Sequence, residues 1–201
     1  MDISIIFQLA ILIVSVMAHE VAHGATAYFF GDPTAKNQGR LTLNPIKHID
    51  LFGSIILPLV LAFFGSGFIL GWAKPVPYNP YNLRNRRVGE FCVSIAGIIV
   101  NFLIALFFGM ILRFGDSLGL SSATQEIMQY IVFLNLVLMV FNLVPIPPLD
   151  GSKILMAFLP ASYERFVISM ERWGLFLLII FIVFGGWIVG DIVAWLFNLI
   201  V

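Results

Sequence analysis

Five long apolar runs alternate with four short polar connections along the 201-residue chain. The runs cover about residues 3–30, 51–72, 91–112, 127–148 and 173–200, and the connections lie near 31–50, 73–90, 113–126 and 149–172. Each run approaches or exceeds the roughly 20 residues that a helix needs to cross a bilayer. The pattern predicts an all-α polytopic membrane protein: a helical bundle, with residues 1–201 forming a single domain. No repeat, low-complexity tract or long linker divides it. Two connections depart from helical patterning. Gly39-Arg40-Leu41-Thr42-Leu43-Asn44-Pro45 alternates polar and apolar residues up to a proline, which predicts a short strand and a turn. Gly71 to Pro80 carries Pro75, Pro77 and Pro80 and cannot be helical there. A small β or re-entrant element is therefore expected between the first helix and the 91–112 helix.

Composition agrees with the hydropathy pattern. The chain is 60% hydrophobic and 11% charged, and its mean hydropathy is +1.01, the balance of an integral membrane protein. A formal net charge of zero leaves no basic field to attract nucleic acid, which excludes that class of partner. Cys92 is the single cysteine and lies within an apolar run, so it reads as a small buried hydrophobe. The first apolar run lacks a basic flank and leads directly into ionisable residues, so it reads as mature structure rather than a cleaved leader.

Those ionisable residues carry the candidate chemistry. His19-Glu20-Val21-Ala22-His23 places two of the chain's three histidines four residues apart on one helix face, the spacing at which both imidazoles reach one tetrahedral zinc. Glu20, beside the first ligand, is suited to take a proton from water at the metal. Ionisable groups deep in an apolar segment are energetically costly and mark function. A catalytic zinc needs a third protein ligand, for which His48, Asp50, Asp150 and Asp191 are the candidates. Asp150 is the best placed. Pro145, Pro147 and Pro148 break the fourth run just before it, and Gly151 lets the chain turn. A carboxylate on irregular backbone at membrane depth must be buried or line a wet cavity. On turn chemistry alone, an ordinary turn aspartate is the alternative.

Taken together, three stretches resemble the site-2 protease family of intramembrane zinc metalloproteases. They are His19 to Gly24, the Asn142 to Gly151 stretch ending in Leu149-Asp150-Gly151, and Ala96-Gly97-Ile98-Ile99-Val100-Asn101. Gly39 to Asp50 and Gly71 to Pro80 look like the corresponding parts of short bacterial and archaeal members, so the resemblance spans most of the chain. It implies one Zn2+ per chain on His19, His23 and Asp150, with Glu20 as catalytic acid/base. It also places Asn142 near the zinc as a donor to an oxyanion, with a helix-packing amide as the alternative. For Asn101 it implies either a direct role or packing between helices. Ile98 stands where the family usually has proline. The family's PDZ and CBS modules have no counterpart in the sequence, which looks like a minimal catalytic core.

The expected activity is zinc-dependent endoproteolysis of transmembrane segments, the reaction of regulated intramembrane proteolysis, with zinc-activated water and Glu20 as general base. The partners would be a transmembrane-helix protein substrate and the lipid bilayer; the sequence leaves the oligomeric state open. A membrane zinc transporter would explain the ligands but not Glu20, and a catalytically inactive helix-binding scaffold would need neither. The family arrangement, with the two zinc-bearing helices parallel and 91–112 antiparallel between them, puts every lysine and arginine except Arg113 on one face. Five ordinary crossings would divide them seven to four. The positive-inside rule favours the first arrangement, in a multi-pass protein of the cell membrane with the site toward the cytoplasm. Residues 51–72 would then re-enter rather than span, and 173–200 would be one tilted helix or a helix and a surface piece.

Overall fold

A computed structural model describes residues 5–48, 56, 74–115, 117–160 and 163–201. Among the described residues it is a bundle of helices in which four are long and apolar enough to cross a membrane. Helix α1 (Ile5–Phe29) is followed by the single turn α2 (Thr34–Asn37), then by α3 (Arg86–Arg113), α4 (Ser122–Leu143), the short α5 (Asp150–Phe158) and α6 (Glu164–Ile200). The last apolar run is thus one continuous helix through Gly185 and Gly186. The expectation for residues 51–72 falls outside the described residues, apart from Ile56.

Local chemistry sets the helix limits. Asn85 caps α3 by accepting from the Val88 N–H at 3.2 Å, and Ser121 caps α4 by accepting from Thr124 N–H at 3.2 Å. Helix α4 stops at Leu143 because Pro145 disfavours helical backbone at Val144, whose ψ is 127°. Asp150 therefore does not end the fourth spanning helix; it opens α5 after six non-helical residues. The strand expected over Gly39–Pro45 does not form, and no strand occurs among the described residues. Gly39 turns the chain at φ 62°, and Pro45–Lys47 make a 3-10 turn capped by Asn44. Period-two alternation signals a strand only when a partner strand is present to take its hydrogen bonds, and the described residues around Gly39–Pro45 supply none.

Helices α1 and α3 run antiparallel in close register. The Arg84 N–H donates to Phe30 O at 2.9 Å, His23 meets Val93, and a Cβ on Gly97 would lie 2.6 Å from the His19 ring. Deeper along the bundle, Ala105, Val132, Leu136 and Val193 are fully buried and join α3, α4 and α6 into one core. At the far end of α3, Arg113 Nη1 donates to Leu199 O at 3.2 Å, so α3 and α6 finish on the same side. Spanning helices α1, α3, α4 and α6 thus alternate in direction, as the family arrangement implies for the helices bearing His19 and the 91–112 segment.

Candidate metal centre

One helix and the start of another bring three donor atoms together. His19 and His23 are buried on one face of α1, with ring centroids 4.5 Å apart and planes perpendicular. Asp150, the first residue of α5, places Oδ2 3.0 Å from Nε2 of both histidines. The three donor atoms lie within 4.8 Å of one another. Around a tetrahedral zinc with bonds of about 2.0–2.1 Å, neighbouring donors stand about 3.3 Å apart, so the two carboxylate–imidazole separations of 3.0 Å are within a few tenths of an ångström of that geometry. Two imidazoles and a carboxylate also form a donor set that zinc takes in catalytic sites, and the residues fit the ion.

Surrounding groups fix the orientation of each side chain. The His23 Nδ1–H donates to the Val93 carbonyl at 2.6 Å, which leaves Nε2 with its lone pair toward the centre. His19 lies against Gly97, where any larger residue would collide with its ring at 2.6–2.7 Å. Asp150 is reached through a backbone crossing that only glycine permits. A Cβ on Gly151 would sit 2.2 Å from the Leu143 carbonyl oxygen. The Lys153 ammonium stands 3.8 Å from Asp150 Oδ1 and 5.8 Å above the Tyr78 ring.

Glu20 is half-buried beside the histidines, and its Oε2 accepts from the Val76 N–H at 2.8 Å. Val76 is the middle of Pro75-Val76-Pro77, so it supplies the lone N–H of that tripeptide. The extended piece Lys74–Asn79 is tied at both ends. Lys74 N–H donates to His48 O at 2.9 Å, and Asn79 N–H to Asp32 Oδ2 at 2.6 Å. Gly24 makes room for it, because a Cβ there would meet Val76 at 2.5 Å. Asp32, fully buried, also accepts from the Thr34 hydroxyl and from Asn82 Nδ2 at 2.8 Å. Burial raises the carboxyl pKa, but the hydrogen bonds from Thr34, Asn82 and Asn79 outweigh it and hold the group below the ordinary carboxylate range. Within this piece, burial and the nearby Glu90 charge push the Tyr78 hydroxyl up to about 12, so it stays a neutral donor.

The other sequence candidates lie elsewhere. His48 is buried but donates Nε2–H to the Thr42 carbonyl at 2.8 Å, and Asp191 is exposed on α6. Asp50 falls outside the described residues. Asn142 donates Nδ2–H to Leu138 O, one turn back in its own helix, and makes no hydrogen bond to His19, Glu20, His23 or Asp150. Sequence reasoning missed Val76, Asp32 and Lys153. Pro-Val-Pro could have signalled a solitary donor, whereas the partner of that donor is a tertiary fact.

A buried imidazole pair and carboxylate in a bundle of membrane-crossing helices define a class, the polytopic membrane metalloproteases. Residues 115–185, which include Asp150, match the model of Peptidase family M50. A protein named "Putative zinc metalloprotease YwhC", from Bacillus subtilis, is 40% identical over 190 residues, covering 92% of this chain and 82% of that one. Rip2 proteins of the same description, from Mycolicibacterium smegmatis and Mycobacterium tuberculosis, are 30% and 32% identical over 191 and 190 residues. These matches cover 92% and 93% of this chain and 71% of each relative. No solved structure matches the chain. The chain belongs to Peptidase family M50, the site-2 protease family. It is a zinc metalloprotease and a multi-pass membrane protein acting on membrane-protein substrates in the bilayer.

Proposed function

We propose that the chain is an intramembrane endopeptidase that cleaves transmembrane segments, with His19, His23 and Asp150 holding zinc and Glu20 as general base. The observation that carries this reading is the convergence, within 4.8 Å, of buried donor atoms from His19 and His23, which flank Glu20, and from Asp150. Zinc, when bound, supplies Lewis acidity that polarises a peptide carbonyl and lowers the pKa of water. The residues supply the rest. Glu20 accepts the proton of the attacking water and later delivers it to the leaving amine. Val76 N–H holds one of its oxygens, leaving the other free for this transfer. Lys153 places positive charge beside Asp150 and tempers the charge of the buried carboxylate.

A substrate helix buries its carbonyls in its own hydrogen bonds, so it must unwind locally before attack. The stretch Gly39 to Pro45 offers no preformed strand for an unwound substrate to join, which removes support for strand addition there. Lys36 of α2, Arg84, and Arg86 and Arg87 at the start of α3 share a side with α5, where Arg87 donates to Leu159 O, and Arg113 lies at the opposite end. The positive-inside rule then favours a cell-membrane protein with its active site toward the cytoplasm.

The test is cleavage of a single-span substrate by the purified wild type and by Glu20→Gln, with zinc content measured in both. The expected outcome is one zinc in each and cleavage by the wild type alone. Equal cleavage by Glu20→Gln would remove the base assignment, and zinc flux into vesicles without cleavage would favour a transporter.

A further inference from the structure

One helix turn deeper than the metal centre lies a second set of buried polar groups. The register of α1 and α3 locates it. His23 pairs with Val93 and His19 with Gly97, so four further residues in opposite directions bring Ser15 level with Asn101. From α4, Asn135 joins the same level, its Nδ2 donating to Ser15 Oγ at 3.0 Å and to Ile131 O at 2.9 Å. Ser15 is 3% exposed, and Asn101 and Asn135 are fully buried. Three helices thus contribute one polar side chain each to a level otherwise packed with Leu136 and Val132.

Within this level the hydrogen bonding is incomplete. Neither side-chain polar atom of Asn101 has a partner, nor does Asn135 Oδ1, and one turn above them His19 Nδ1 is buried and unpartnered too. Each unpartnered buried group is destabilising, and at membrane depth no bulk water offsets it. The His19 atom matters most. A histidine that ligates through Nε2 carries its proton on Nδ1, and that N–H needs an acceptor to fix the ring. His23 has the Val93 carbonyl for this purpose, whereas His19 Nδ1 has no acceptor among the described residues.

We infer that Ser15, Asn101 and Asn135 form a binding site for ordered water, and that this water accepts the His19 Nδ1–H and donates to Asn101. Water is favoured over a monovalent cation because Asn101 presents both a donor and an acceptor, and only a ligand that does both satisfies them. The orphan atoms also supply the two to four polar partners that a buried water requires. Asn101 is then a positioning residue: it sets the His19 ring through solvent and touches neither metal nor substrate. The inference rests on His19 being a metal ligand.

The experiment measures zinc affinity of the full chain in detergent, by chelator competition, for the wild type, His19→Ala, Asn101→Leu and Asn101→Ser. Wild-type affinity in His19→Ala would overturn the ligand reading itself, and the inference with it. If His19→Ala loses zinc, Asn101→Leu is expected to bind it about 10-fold to 100-fold more weakly. Asn101→Ser, with a hydroxyl and room for a second water, should recover most of the loss. Packing alone would leave a folded leucine variant at wild-type affinity, because removing unpaired polar atoms at constant shape is close to neutral; that result overturns this inference and spares the metal site. If Asn101→Leu does not fold, a high-resolution map of the zinc-loaded wild type decides. Solvent density between His19 Nδ1 and Asn101 is expected, and a dry level overturns the proposal.

Discussion

Among the described residues one backbone donor, the Val76 N–H, holds Glu20, which makes its orientation separable from its chemistry. Val76→Pro removes the N–H that reaches Oε2 and leaves two prolines flanking a third. A hydrogen bond to a charged group contributes about 1.5–3 kcal/mol. If it is worth as much in the transition state, kcat should fall about 10-fold to 100-fold with zinc content unchanged. Val76→Ala keeps the N–H and should retain kcat; single-turnover cleavage with both variants decides the point. Asp32 acts at the same scale through pH. Its folded-state pKa lies below the ordinary value of 3.8, so its stabilisation is complete above that value and is lost as pH falls through the folded pKa. Thermal unfolding of wild type and Asp32→Asn in detergent should show a gap at neutral pH that narrows below about pH 4.

The connection between α4 and α5 is where an element-level constraint serves the site. Leu143 ends one helix, Asp150 begins another, and a Cβ on Gly151 would collide with the Leu143 carbonyl. Backbone cannot yield as a side-chain tip can. Gly151→Ala should therefore lower stability by about 3 kcal/mol and reduce zinc stoichiometry, readable by thermal melting and metal analysis. The sequence announced this connection through Pro145, Pro147 and Pro148, because proline acts locally on backbone dihedrals. It misread Gly39–Pro45 for the complementary reason. Alternation of Leu41 and Leu43 with polar residues is local, but a strand exists only by pairing, and the chain there turns at Gly39 instead. The Lys74–Asn79 piece was correctly non-helical, yet its anchors at His48 and Asp32 were invisible in sequence.

For the molecule as a whole, the alternation of α1, α3, α4 and α6 makes a labelling prediction. In a Cys92→Ala background, Asn37→Cys at the end of α2 and Ser117→Cys between α3 and α4 are both exposed positions. An impermeant maleimide applied to intact cells should label Ser117→Cys, and Asn37→Cys should react only after permeabilisation. The reverse pattern would invert the proposed orientation.

Hydropathy runs, the His19–His23 spacing and the proline break before Asp150 are properties of short stretches of chain, so the helical class, the metal chemistry and the family were legible without coordinates. Bilayer thickness and helix periodicity act on those stretches directly. The meeting of Asp150 with α1, the seat of His19 on Gly97, the donor that Val76 offers Glu20 and the level shared by Ser15, Asn101 and Asn135 all join residues distant in sequence. Only tertiary packing decided them, because hydrogen bonds and close contacts depend on distances in space that no local pattern encodes.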